Sequence, residues 1–193
     1  MKHFLFFTLL LSLSACRFFM SKEQRESEAA QKDFEKFAGS LPVIQLPYHT
    51  SCYECCKFSM VNLDSIAQAK YNPEGLYIYG KLGVLNGHTL VFGAYPSDIN
   101  SPTLLVFDIE GKLIDEQYFL TDYCGGDFDF YGKQAIYIDK DYSVTERDTS
   151  YYFKMDTLNF EVTDTEKIEI KRMAYVVTQE GKIVKKTEEK SVN

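Results

Sequence analysis

Asn86-Gly87 stands between two runs, Leu76–Leu85 and His88–Tyr95, in which apolar residues recur at every second position. No other feature restricts the fold as much. A two-residue hairpin loop of type I′ requires positive φ at both central residues, and Asn followed by Gly reaches that conformation at least cost. Leu90, Phe92 and Ala94 alternate with Thr89, Val91 and Tyr95, which is the side-chain period of a strand. The same period predicts strands at Thr103–Phe107 and Lys112–Leu120 across a turn at Glu110-Gly111. It then predicts strands at Gln134–Ile138, Ser143–Arg147, Tyr151–Lys154, Lys167–Ile170, Ala174–Thr178 and Lys182–Lys186. The end of the chain is polar, and residues 188–193 are expected to form a flexible tail.

Three stretches share a pattern. Val106–Ile114 resembles Val176–Val184 around an Asp/Thr…Glu-Gly-Lys turn, and Ile136–Val144 is a looser third copy. Turns of β-propeller blades look similar, but at about 40 residues per blade residues 71–193 supply only three, fewer than a closed propeller needs. The copies are equally explained by shared turn chemistry, with one residue in the left-handed region and charges facing water. The fold class read from the sequence is therefore mainly β: an antiparallel β-sandwich or a small barrel built of hairpins, with an N-terminal helical tether.

Ser21–Phe37 is rich in Glu, Lys, Gln and Ala, all good helix formers, and is sparse in apolar residues until Phe34 and Phe37. This predicts a solvated helix that docks only at its end and stops at Gly39-Ser40. Pro42 and Pro47 favour an extended path through Leu41–Pro47. A short helix is expected over Asp64–Lys70, capped by Asn62 or Asp64 and ended by Asn72-Pro73.

The amino terminus has a different character. Lys2 and His3 precede an almost wholly apolar run, Phe4–Leu13, which is too short to span a bilayer comfortably but suits a signal-peptide core. Leu13-Ser14-Ala15-Cys16 follows, with two small residues ahead of a cysteine. The stretch resembles the lipobox of bacterial lipoproteins. That resemblance implies cleavage between Ala15 and Cys16, with a lipid on Cys16. The chain then divides into a signal peptide (1–15), a lipidated and partly helical tether (16–40), a β-rich domain (41–187) and the tail (188–193).

The charge balance excludes some partners. The formal net charge is −7, and cleavage would also remove the positive Lys2. Neither nucleic acid nor anionic lipid would attract such a chain by charge. With 45% apolar and 15% aromatic residues, most of the chain can bury a core.

Cysteines beyond Cys16 cluster at Cys52-Tyr53-Glu54-Cys55-Cys56, with Cys124 far downstream. In an exported chain the default fate of a cysteine is a disulfide, so Cys52, Cys55, Cys56 and Cys124 are candidates. One bridge from the cluster to Cys124 is favoured. Buried free thiols, a zinc site using Cys52, Cys55, Cys124 and His49 or His88, and a redox pair are the alternatives. A single CxxC without a second paired knuckle, or without a strand–helix context, defines neither of the last two, so no metal is assigned. Asp127 and Asp129 would share one strand face on a Gly-rich stretch, but the calcium-loop spacing is absent. Asp139, Asp141 and Asp148 fit turns, and His88 beside the Asn-Gly turn is expected to be exposed. No Ser-His-Asp order, P-loop or dinucleotide fingerprint occurs, so the reading contains no catalytic residue and no cofactor.

The whole layout is similar to small lipoproteins of Bacteroidota-type bacteria: a lipobox, a polar spacer, a Leu-Pro segment, and hairpins with Gly-Lys-(Leu/Ile)-Ile turns. The family carries no assigned activity. Arg17–Lys22 holds no acid, and position 17 is not Asp. By this resemblance the expected place is the periplasmic face of the outer membrane. The expected role is non-catalytic binding or scaffolding of an envelope protein. The alternatives are an inhibitor or immunity-type domain and a thiol- or metal-dependent enzyme centred on Cys52–Cys56.

Overall fold

A computed structural model describes residues 21–52, 59–96, 100–120, 124–156 and 161–193. Ala15, Cys16, Cys55 and Cys56 lie outside the described residues. Among the described residues the chain forms two helices, α1 (Lys22–Ser40) and α2 (Ser65–Tyr71). The described strands are β1 (Tyr48–Ser51), β2 (Tyr77–Leu85), β3 (His88–Tyr95), β4 (Ser101–Phe107), β5 (Leu113–Tyr118), β6 (Gly125–Asp127), β7 (Phe130–Ile138), β8 (Val144–Asp156), β9 (Glu161–Val177) and β10 (Ile183–Val192). A four-stranded antiparallel sheet runs β2-β3-β4-β5. A second runs β1-β7-β8-β9-β10, with β6 also paired to β7. The two sheets pack face to face, so the fold is the sandwich rather than the barrel.

The Asn86-Gly87 hairpin forms as expected. Both residues have positive φ, 53° and 82°, and they join β2 to β3. The alternation on β3 does not separate a core face from a wet one, however. Leu90 and Phe92 are fully buried against the larger sheet, and Val91 is fully buried against the helices. The smaller sheet is thus the middle of three layers, which accounts for the apolar residues on both of its faces.

Helix α1 starts with a reciprocal cap. Ser21 Oγ accepts from Gln24 N–H, and Gln24 Oε1 accepts from Ser21 N–H. Its early turns are exposed, and it docks through Phe34, Phe37 and Ala38. There Phe34 meets Phe107 at 5.5 Å and Tyr71 at 5.4 Å between ring centroids. Asp64, rather than Asn62, caps α2, its carboxylate accepting from the N–H groups of Ile66 and Ala67.

Both edges of the sandwich are tied. At one, residues 42–44 lie parallel to β2, with Lys81 N–H donating to Pro42 O at 2.8 Å and Ile44 N–H to Lys81 O at 2.9 Å. The chain then changes sheets, and β1 pairs with β7. Such a sheet-switching segment makes a sandwich corner. At the other edge, Ile183 N–H donates to Asp115 Oδ2 at 2.8 Å and Lys182 Nζ to Ile114 O at 2.7 Å.

The three similar stretches adopt one turn. In each, the first residue of the loop (Asp108, Asp139, Thr178) donates its N–H to the carbonyl four residues on, and its own carbonyl accepts from the residue three on. That third-on residue has positive φ: 80° in Gly111, 79° in Gly181 and 65° in Tyr142. Tyr142 is the exception to glycine, and its ring lies directly over Gly83 of the other sheet.

Three expectations need correction. Residues 187–192 pair with β9 as part of β10, so the polar end is strand, not a frayed tail. Charged side chains are tolerated there because β10 is a solvent-facing edge. Ser143–Arg147 and Tyr151–Lys154 are one strand, β8, and Lys167–Ile170 and Ala174–Thr178 are likewise one, β9. Asp148 is not in a turn; it lies in the middle of β8 and is buried.

Candidate functional site: a polar hollow on the larger sheet

Strand β7 has a composite neighbour. β1 pairs with residues 135–138 of β7 and β6 with residues 130–132. Between them Cys52 N–H donates to Gln134 O at 3.2 Å, and Cys52 is disulfide-bonded to Cys124, with Cα atoms 6.3 Å apart. The bridge splices two distant pieces of chain into one edge strand. It is the cluster-to-Cys124 bond expected from the sequence.

The inner face of the larger sheet changes character along its strands. At one end Ile138, Val144, Tyr175 and Val177 form the core with the smaller sheet. Further along, register places Gln134, Asp148, Lys171 and Lys190 in one row across β7 to β10. The next row is Gly132, Ser150 and Glu169, and the one after is Phe130, Tyr152 and Lys167. Small residues in the middle row leave a hollow of about 270 Å³ between a polar wall and an aromatic wall.

Each wall has a physical support. Gln134 is 1% exposed, and its Nε2 donates to Asp148 Oδ1 at 3.0 Å. Its Oε1 is buried and has no hydrogen-bond partner in the structure. On the aromatic side Phe130 and Tyr152 meet edge to face at 5.4 Å, and the Lys167 ammonium lies 5.3 Å from the Tyr152 ring centre. Glu169 pairs with Lys167 and, at 3.4 Å, with Lys190. The hydrogen bond from Lys167 first, and Lys190 after it, holds the Glu169 carboxyl below the usual carboxylate range.

Glu146 fixes the boundary between core and hollow. It is 4% exposed, and its carboxylate accepts from Leu120 N–H at 2.7 Å and from Tyr175 hydroxyl at 3.3 Å. Burial, followed by the Glu146 charge, pushes the Tyr175 hydroxyl well above its ordinary value. Leu120 sits at φ 56°, so the crossing from β5 towards β6 is pinned at a strained residue by a charged acceptor.

The other residues singled out in the sequence do not converge here. Asp127 ends β6, and Asp129 lies in the two-residue turn to β7, so the chain reverses between them and they share no strand face. His49 stacks on Tyr137 with centroids 5.2 Å apart. His88 is half-buried rather than exposed, with Nε2 at 3.0 Å from the Gln179 carbonyl oxygen; that acceptor places the proton on Nε2. Among the described residues no three His, Cys, Asp or Glu side chains gather as a metal site would require.

Sequence reading missed Gln134, Ser150, Glu169, Lys171 and Lys190. The available signal was the alternation of Lys167, Glu169 and Lys171 against Ile168 and Ile170, which marks one polar strand face. No protein family, curated protein or solved structure matches the chain.

Proposed function

We propose that this chain is a lipid-anchored protein of the bacterial cell envelope whose β-sandwich binds or scaffolds another envelope component and does no chemistry on it. The observation that carries the reading is Cys16, placed after Leu13-Ser14-Ala15 and an apolar run, five residues before the α1 cap at Ser21. A lipid there would precede the exposed early turns of α1, a spacer whose side chains are buried only from Phe34 onward. The Cys52–Cys124 bridge suits an oxidising compartment and favours a structural use of the cysteines over a thiol enzyme. Each buried acyl methylene adds about 0.8 kcal/mol of membrane affinity, and two or more chains hold firmly. The lack of acidic residues over Arg17–Lys22, and of Asp at position 17, favours the periplasmic face of the outer membrane.

Fractionation of Cys16→Ser with labelled palmitate tests the anchor: the variant is expected in the soluble fraction or unprocessed, and unlabelled. Unchanged membrane association and label uptake would remove the anchor. Affinity purification from intact envelopes tests the binding role, which fails when nothing is recovered beyond the control lacking the bait. Recovery of one tightly held enzyme, inhibited when bound, would replace scaffolding with the inhibitor or immunity reading.

A further inference from the structure

We propose that the hollow between Gln134 and Tyr152 binds an uncharged saccharide, one pyranose ring at a time. The inference rests on the binding role proposed above and names its ligand class.

The shape comes first. Gly132 and Ser150 are register neighbours on β7 and β8, each flanked on the same face by larger residues two positions away. Their small size sinks a floor between Gln134 and Asp148 on one side and Phe130 and Tyr152 on the other. The volume of about 270 Å³ lies just below the usual range of ligand sites and suits a single small ring. One wall offers an amide, a carboxylate and two ammonium groups, and the opposite wall offers aromatic carbon. A ligand that fills the space needs hydroxyls along one edge and an apolar C–H face along the other, which describes a pyranose ring.

The hydrogen-bonding balance points the same way. Gln134, which lines the hollow, donates one amide N–H to Asp148 and keeps a buried carbonyl oxygen without a partner. An unmet buried acceptor is costly, and a hydroxyl donor, direct or relayed through one water, recovers that cost. The Lys171 and Lys190 ammonium groups donate to hydroxyl oxygens, so a group that both gives and receives suits the wall better than a pure acceptor. Charge excludes a polyanion. Lys167 and Lys190 share Glu169, Lys171 lies 4.0 Å from Glu188, and Asp148 stands in the same row as Lys171 and Lys190, so three cations around the hollow are met by three carboxylates. The residual field is small, and the protein as a whole is acidic.

The test is saturation-transfer NMR on the oxidised full chain in a polyoxyethylene detergent, which itself contains no sugar. The probes are the methyl glycosides of glucose, galactose, mannose and N-acetylglucosamine at millimolar concentration, with inorganic phosphate and glycine betaine as charged and zwitterionic comparators. Saturation of ring protons is expected for at least one glycoside and for neither comparator. Ser150→Phe, which fills the floor, is expected to abolish it. Asp148→Asn is expected to weaken binding at least about tenfold, the loss of a charged hydrogen-bond acceptor. Circular dichroism and an intact Cys52–Cys124 bridge check that both variants fold. The proposal is overturned by no transfer to any of the four glycosides, by transfer that survives Ser150→Phe in a folded variant, or by preference for phosphate. None of these results bears on the anchor, which the Cys16→Ser fractionation reads without any sugar.

Discussion

Removing the Cys52–Cys124 bridge should cost this sandwich a large part of its stability without altering its shape. The two cysteines are 72 residues apart in sequence. Closing a loop of that length in the unfolded chain removes entropy worth about 4.4 kcal/mol on the chain-entropy relation. That is a large share of the 5–15 kcal/mol typical of a domain. The Cys52 N–H to Gln134 O bond is a backbone contact and survives replacement of the side chain, so the loss should come almost wholly from the unfolded state. The experiment compares urea unfolding of Cys55→Ser/Cys56→Ser with the same chain carrying Cys52→Ser and Cys124→Ser as well, so that no thiol is left to reshuffle. The expected result is a stability lower by about 4 kcal/mol, with an unchanged far-ultraviolet spectrum. Adding reductant to the bridged chain should reproduce the loss. The reasoning is refuted if the midpoints coincide, or if mass spectrometry of the oxidised starting chain finds Cys52 and Cys124 as free thiols.

Two further predictions come from positions where the geometry sets the magnitude. Gly111 and Gly87 have nearly the same φ, 80° and 82°, but a Cβ on Gly111 would lie 2.6 Å from the Phe34 ring, whereas one on Gly87 meets nothing within 4 Å. Gly87→Ala should therefore cost about 1 kcal/mol, the left-handed penalty alone, and Gly111→Ala about 2–4 kcal/mol, by chemical denaturation; equal costs would rule out the packing contribution. Asp33 is held below the usual carboxylate range by the hydrogen bond from Lys70 first and from Tyr71 second. A lowered folded-state value contributes stability above the unfolded value, near pH 4, and loses it as the pH falls through the folded value. Asp33→Asn should thus be less stable than the parent at neutral pH, with the gap closing in acid; a gap that stays constant down to about pH 2 contradicts the linkage.

The features legible in the sequence were those carried by local chemistry. Asn86-Gly87 announces its turn because few residue pairs accept two positive φ values, and Asp64 announces its cap because its carboxylate reaches N–H groups two and three residues on. The docking end of α1 was visible in the spacing of Phe34 and Phe37. What stayed hidden depended on partners distant in sequence. Asp148 looks like a turn residue until Gln134 across the strand supplies its donor. β1 and β6, of four and three residues, have no period of their own and exist because β7 offers them an edge. The hollow was invisible for the same reason: its walls come from strands whose register no local pattern reveals.

The spliced edge strand has a mechanical consequence. α2 and the whole four-stranded sheet lie between Cys52 and Cys124, so they form a closed excursion from the edge of the larger sheet. Tension drawn along the backbone passes from one sulfur to the other and bypasses that excursion. The smaller sheet then bears no load while the bond lasts; once the bond is cut, unfolding of that sheet would add roughly 240 Å of extended chain.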